Sequence, residues 1–159
     1  MLPALHTLTH SPWTLLPPGV HQATLIEVET AFATNARRRE IFNGLLDALE
    51  RLRLAGCPTA YLDGSFVSGK PNPGDFDGCW DPNGVDPTKL DPVFLDFDNG
   101  RSNQKSAFKG EFFPSSMTCS DIGASFVEFF QRDRFTGSQK GIISISLQTD
   151  PTLLQRARP

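Results

Sequence analysis

The sequence predicts an α+β domain in which a small mixed β-sheet packs against helices. Three observations carry this. One segment of about twenty residues keeps an apolar helical stripe. Several short apolar runs are bounded by Asp, Pro and Gly. Gly and Pro, at 13 each in 159 residues, exclude a helical bundle or a coiled coil. The length suits one core and is too short for two independent ones. The expected organisation is an extended leader over 1–20, one domain over 21–150 and a loose tail over 151–159.

The leader holds Pro3, Pro12, Pro17 and Pro18 and has no early Lys or Arg. It therefore lacks the charged start and unbroken apolar run of a secretory signal. Thr24 and Glu27 form a capping-box pattern ahead of Val28, Ala31 and Phe32, which predicts a helix start. A longer helix is expected over 35–55. Its apolar stripe is Ile41, Phe42, Leu45, Leu46, Leu49 and Leu52, and Gly56 follows its end. Arg37, Arg38 and Arg39 on its first turns read as a solvated face. Strands are expected over 59–63, 75–80, 93–97 and 142–147, and a helix over 120–132 with Ser120 as its N-cap and Ile122, Phe126, Phe129 and Phe130 on one face. Residues 101–116 carry no clear period.

Charge excludes some functions. A net charge of −3 argues against a general nucleic-acid surface. No apolar run approaches the ~18 residues of a membrane span. Cys57, Cys79 and Cys119 are odd in number and form no CxxC pair, so a reducing cytoplasm is the expected location. His6 and His10 are spaced i,i+4 but have prolines on both sides and no third ligand nearby. Gly69-Lys70 runs into Pro71 and is not a P-loop.

Residues 61–100 hold eight Asp against Lys70 and Lys89, whereas residues 101–140 hold six basic and four acidic residues. Most of these aspartates mark turns. Asp75, Asp77 and Asp96 instead fall in strand-like segments, where Asp is depleted. Asp75 and Asp77, two apart on one strand, project from one face with Phe76 turned to the core. Two such carboxylates suit Mg²⁺ or Mn²⁺, which keeps its other positions for water and phosphate oxygens. Asp96 is the candidate third ligand. If the neighbouring strand is instead 142–147, it offers only Ser144 and Ser146 and the third ligand is missing. Upstream, Gly64 lets the backbone approach a triphosphate closely, and Ser65 can donate from its amide and hydroxyl. Lys70 can reach a phosphate from the same loop, and Lys105, Lys109, Arg132, Arg134 and Lys140 could offset its charge.

The run Leu62-Asp63-Gly64-Ser65 followed by Asp75-Phe76-Asp77 resembles the DNA polymerase beta-type nucleotidyltransferase superfamily. That motif is an apolar residue, Gly and Gly or Ser, then Asp-apolar-Asp/Glu after about ten residues. Here Asp63 takes the place of the apolar residue, and Gly78 follows the acid pair where an apolar residue is usual. A wider resemblance, over roughly 16–147, is to an uncharacterised family of short bacterial nucleotidyltransferase-like proteins. It rests on the stretches 16–21, 61–67, 90–97, 110–114, 129–130 and 140–142. The resemblance implies a nucleotidyltransferase-like fold. The expected activity moves a nucleoside monophosphate from an NTP such as ATP to an acceptor hydroxyl with Mg²⁺. Asp75, Asp77 and Asp96 would be the catalytic metal ligands, and Gly64, Ser65 and Lys70 the nucleotide contacts. The expected acceptor is a protein, an RNA or a small molecule. The alternative is an inactive nucleotide-binding or interaction domain with a partner protein, as in a bacterial toxin–antitoxin or defence pair.

Overall fold

A computed structural model describes residues 1–118 and 123–156. The elements run β1 (Gly19–Gln22), α1 (Leu25–Phe32), α2 (Ala36–Leu54), β2 (Thr59–Asp63), β3 (Phe76–Trp80), α3 (Asp98–Phe108), β4 (Gly110–Pro114), α4 (Phe126–Phe130), β5 (Gly141–Ser146) and α5 (Pro151–Arg156). The strands form one mixed sheet in the order β1-β5-β2-β3-β4. The outer pairs, β1 with β5 and β3 with β4, are parallel, and β2 runs antiparallel to both of its neighbours. The α+β class is as the sequence predicts.

Strand alternation gives the sheet two unlike faces. One face presents Ala60, Leu62, Phe76, Trp80, Phe112, Ile143 and Ile145 to the apolar stripe of α2 and to Leu25, Val28 and Leu153 of α1 and α5, making the main core. The other face carries Cys79 and Ile142, against which Phe130 of α4 packs with Phe113 and Phe126.

Local chemistry explains the helix ends. Thr24 and Glu27 form the expected capping box on α1. Asn35 caps α2 by accepting from the Arg38 amide, and Gly56 takes the left-handed turn beyond its end at φ +92°.

Four expectations are corrected. Residues 93–97 are not a strand. Asp91 caps a short 3-10 turn over Pro92–Leu95, with Pro at its start, and Asp96 ends it. The segment after Asp150 is not wholly loose. Leu153 of α5 is buried, and Arg156 pairs with Asp47 and Glu50 of α2. Arg38 is buried rather than part of a solvated face. Helix α4 starts after Ser125, whose hydroxyl accepts from the Glu128 amide. Ser120, Ile122 and Cys119 lie outside the described residues. The leader docks on the domain: His6 bridges to Leu15, Leu16 is buried in the core, and Gly19 opens β1. No helix among the described residues is long and apolar enough to cross a membrane.

Candidate functional site

The site is built by sheet register. Asp63 on β2 is paired with Asp77 on β3, and Asp77 with Glu111 on β4. Residues directly opposite on adjacent strands project to the same side, so three acids line up across three strands. Asp75, two residues before Asp77, stands just ahead of β3, which begins at Phe76 and not at Asp75 as expected. Asp63, Asp77 and Glu111 lie on the face away from the main core.

Gly64 adjoins the row. Its φ of +82° and ψ of −169° fall in a region almost closed to other residues. A Cβ at this position would also run into Oδ2 of Asp77. The glycine is therefore required by the carboxylate it faces as well as by the turn. Ser65 follows in a short 3-10 turn, Ser65–Val67. Gly78 has a packing reason of its own, because a Cβ there would strike the Phe112 ring and the Tyr61 carbonyl.

Electrostatics mark Asp77 as the centre of the group. Its carboxyl titrates well above the ordinary carboxylate range. Burial is the main cause, followed by repulsion from Asp75, a hydrogen bond shared with Glu111, and the charges of Glu111 and Asp63. Asp75 is raised as well, first by burial and partly offset by Lys105, Arg37 and Lys70. Two cations of α3 answer the acids. Arg101 Nε donates to Glu111 Oε2 at 2.6 Å, and Lys105 Nζ lies 3.8 Å from that oxygen and 4.0 Å from Asp75 Oδ2. Arg101 also lies 5.6 Å over the Phe113 ring and is itself left-handed, at φ +63°. Asp63 is neutralised by a buried ion pair with Lys140. Beyond Lys140, a cavity of about 660 Å³ opens between Gly19, Ala124, Glu128, Gln131 and Gln139.

The structure brings Asp75, Asp77, Gly64 and Ser65 together, as the sequence predicts. Lys70 is close enough for its charge to act on Asp75. Asp96 stands apart from this group. Its carboxylate accepts from the Asp98 amide at 3.1 Å and from Asn103 at 2.7 Å, and these bonds hold it below the usual range. The acid on the strand beside Asp77 is Glu111, which the sequence reading missed. The Gly110–Pro114 run does have an acid among apolar residues, the pattern that drew attention to Asp96. Arg38 was missed too, although it lies on the helical face of Ile41, Phe42 and Leu45. Cys57 and Cys79 are free and buried, with burial pushing both thiols up to about 12, which leaves Cys79 inert as a nucleophile.

The donor set suits a hard divalent cation. It offers carboxylate oxygens only, on adjacent strands, with more negative charge than the group holds comfortably. Among the described residues, no group of three or more His, Cys, Asp or Glu side chains is placed to hold a metal ion as it stands. Binding would require Lys105 and Arg101 to give way at Asp75 and Glu111.

Residues 8–146 match a family described as a family of unknown function, DUF6932. No curated protein and no solved structure matches the chain. With most of its length inside that match, the chain belongs to family DUF6932.

Proposed function

We propose that the protein is a metal-dependent nucleotidyltransferase that moves a nucleoside monophosphate from an NTP to an acceptor hydroxyl. The observation that carries this reading is the placement of Asp77 beside Glu111 on adjacent strands, with Asp75 next to them and Gly64-Ser65 against the Asp77 carboxylate. A divalent cation such as Mg²⁺ or Mn²⁺, held by Asp75, Asp77 and Glu111, would neutralise the triphosphate and the departing pyrophosphate. Ser65 and Lys70 would hold the phosphate tail. An acceptor oxygen forms a bond to the α-phosphorus, and the bond from that phosphorus to the bridging oxygen breaks. Pyrophosphate leaves, and the hydroxyl proton passes to the Asp77–Glu111 pair. The cavity beyond Lys140 has room for the nucleoside or for a small acceptor. The reaction belongs in the cytoplasm, where triphosphates coexist with reduced thiols such as Cys57 and Cys79.

One observation favours a second reading. Arg101 and Lys105 already sit on the carboxylates, as they would in a domain that binds a nucleotide or a partner protein without turnover.

The experiment uses each of the four NTPs labelled on the α-phosphate, with Mg²⁺ or Mn²⁺, cell lysate and purified protein. Transfer of label to a protein, RNA or small molecule, abolished by Asp77→Asn, is the expected result. Metal-dependent NTP binding with no transfer supports the second reading. Neither binding nor transfer removes both.

A further inference from the structure

The ten-residue connector from Ser65 to Gly74 contains no strand and only one short 3-10 turn, so its carbonyls need partners from elsewhere. They find them on the first turn of α2. The buried Arg38 guanidinium donates to the carbonyls of Phe66 at 2.7 Å, Ser68 at 2.8 Å and Ser65 at 3.5 Å, and also to that of Lys70. A further bond goes to Phe32 at 3.1 Å. The same guanidinium lies 5.7 Å from the centre of the Phe66 ring. Its neighbours continue the pattern. Asn35 donates to the Pro71 carbonyl at 2.9 Å, and Arg37 donates to those of Pro73 at 3.3 Å and Gly74. Among the described residues no carboxylate pairs with Arg38. A buried guanidinium with five carbonyl acceptors and no counter-ion is fitted to backbone shape rather than to charge pairing.

We propose that Arg38 is the positioning residue of the phosphate-binding loop. Its planar fork fixes the carbonyls of Ser65, Phe66, Ser68 and Lys70, which sets Ser65 in register with Asp75 and Asp77. This rests on the nucleotide reading above and adds to it the residue that shapes the loop. Arg38 touches no reacting atom; it acts through the backbone of Ser65. The fork should therefore matter, and charge alone should be insufficient. Lysine keeps the charge, but its three donors radiate from one atom and cannot span the loop.

The test compares full-length wild type with Arg38→Lys and Asn35→Asp, using Arg39→Ala as the exposed control. Asn35→Asp keeps the helix cap but loses the donor to Pro71, and it decides the matter if Arg38→Lys does not fold. Amide hydrogen exchange is followed at Val67, Ser68 and Gly69, whose N–H groups bond to Gly64, Ser65 and Thr14. Affinities for Mg²⁺-ATP and for Mn²⁺ alone are measured in parallel. Arg38→Lys is expected to speed exchange at these three amides at least ten-fold and to weaken Mg²⁺-ATP at least ten-fold. Mn²⁺ affinity should stay within two-fold. Asn35→Asp should move the first two readouts the same way by two- to five-fold, and Arg39→Ala should move none. Unchanged loop exchange overturns the clamp, as does faster exchange with unchanged Mg²⁺-ATP affinity. Wild-type protein that binds none of the four NTPs overturns the nucleotide reading itself, and with it the assignment of this loop to phosphate.

Discussion

Replacing Asp77 with Asn should make the protein more stable at neutral pH while abolishing its response to divalent cations. Asp77 and Glu111 face each other across β3 and β4. Directly opposed side chains on neighbouring strands stand about 5.5 Å apart, and at an effective dielectric of 20 two unit charges at that distance repel by about 3 kcal/mol. Arg101 and Lys105 screen part of this from the Glu111 side, so the gain from removing one charge is about 1–3 kcal/mol. Asn has the same size, leaves the approach to Gly64 unchanged, and can still hydrogen-bond to Glu111. For a domain of this length the gain corresponds to a rise in Tm of about 2–10 °C. The assay is thermal unfolding at pH 7.5 in chelator, repeated with millimolar Mn²⁺. Wild type should gain stability with the metal, and the variant should start higher and gain nothing. A variant that melts below wild type in chelator, or that still responds to Mn²⁺, would refute the reasoning, because the carboxylate would then be a structural partner and not a strained ligand.

Three further outcomes follow from the same geometry. Because burial and neighbouring acids raise Asp77 above its unfolded value, the folded protein holds this proton more tightly than the unfolded chain does. Asp77 therefore lowers stability as pH rises from its unfolded value through its folded one, and cation binding must release the proton. Titration calorimetry in buffers of different ionisation enthalpy should show net proton release at weakly acidic pH, and affinity should fall by up to about ten-fold per pH unit on acidification. Gly64→Ala imposes a Cβ at a glycine-only backbone angle and against the Asp77 carboxylate, for an expected loss of about 2–4 kcal/mol in urea unfolding. Lys140→Met strands Asp63 buried without its partner and should cost about 3–5 kcal/mol, whereas Asp63→Leu with Lys140→Met should recover most of it.

The sequence made the fold and half of the site legible, and the division has physical causes. Asp75 and Asp77 were readable because a period of two residues is local, and Gly64-Ser65 because a strand ending in Gly-Ser is a turn signal. Glu111 was not readable. Its position beside Asp77 depends on a parallel pairing whose crossover runs through the Pro92–Leu95 turn and α3, and no local pattern sets that register. Asp96 misled because Val93, Phe94, Leu95 and Phe97 look like a strand, while Asp91 and Pro92 start a helical turn there. Arg38 was hidden among three consecutive arginines. Only its phase on the Ile41–Phe42–Leu45 stripe separates it from its neighbours, and a charge on an apolar stripe can be sorted only when its acceptors are known.

The two positions where the chain departs from the nucleotidyltransferase pattern can be argued from one feature, the crowding of charge and volume on either side of β3. Gly78 sits between Tyr61 and Phe112 on the face opposite Asp77, where a larger residue would push β3 away from β2 and β4 and separate the acids it carries. Asp63 adds a carboxylate beside Asp77 on the site face, and it is tolerable only because Lys140 meets it. Arg101 and Lys105 do the same for Glu111 and Asp75. Each acid around Asp77 thus has a cation of its own, whereas Asp77 faces Glu111 and, among the described residues, forms no ion pair. That residual charge makes Asp77 the place where a divalent cation would gain most, and it is why the Asp77 variant separates a working metal site from an architectural remnant.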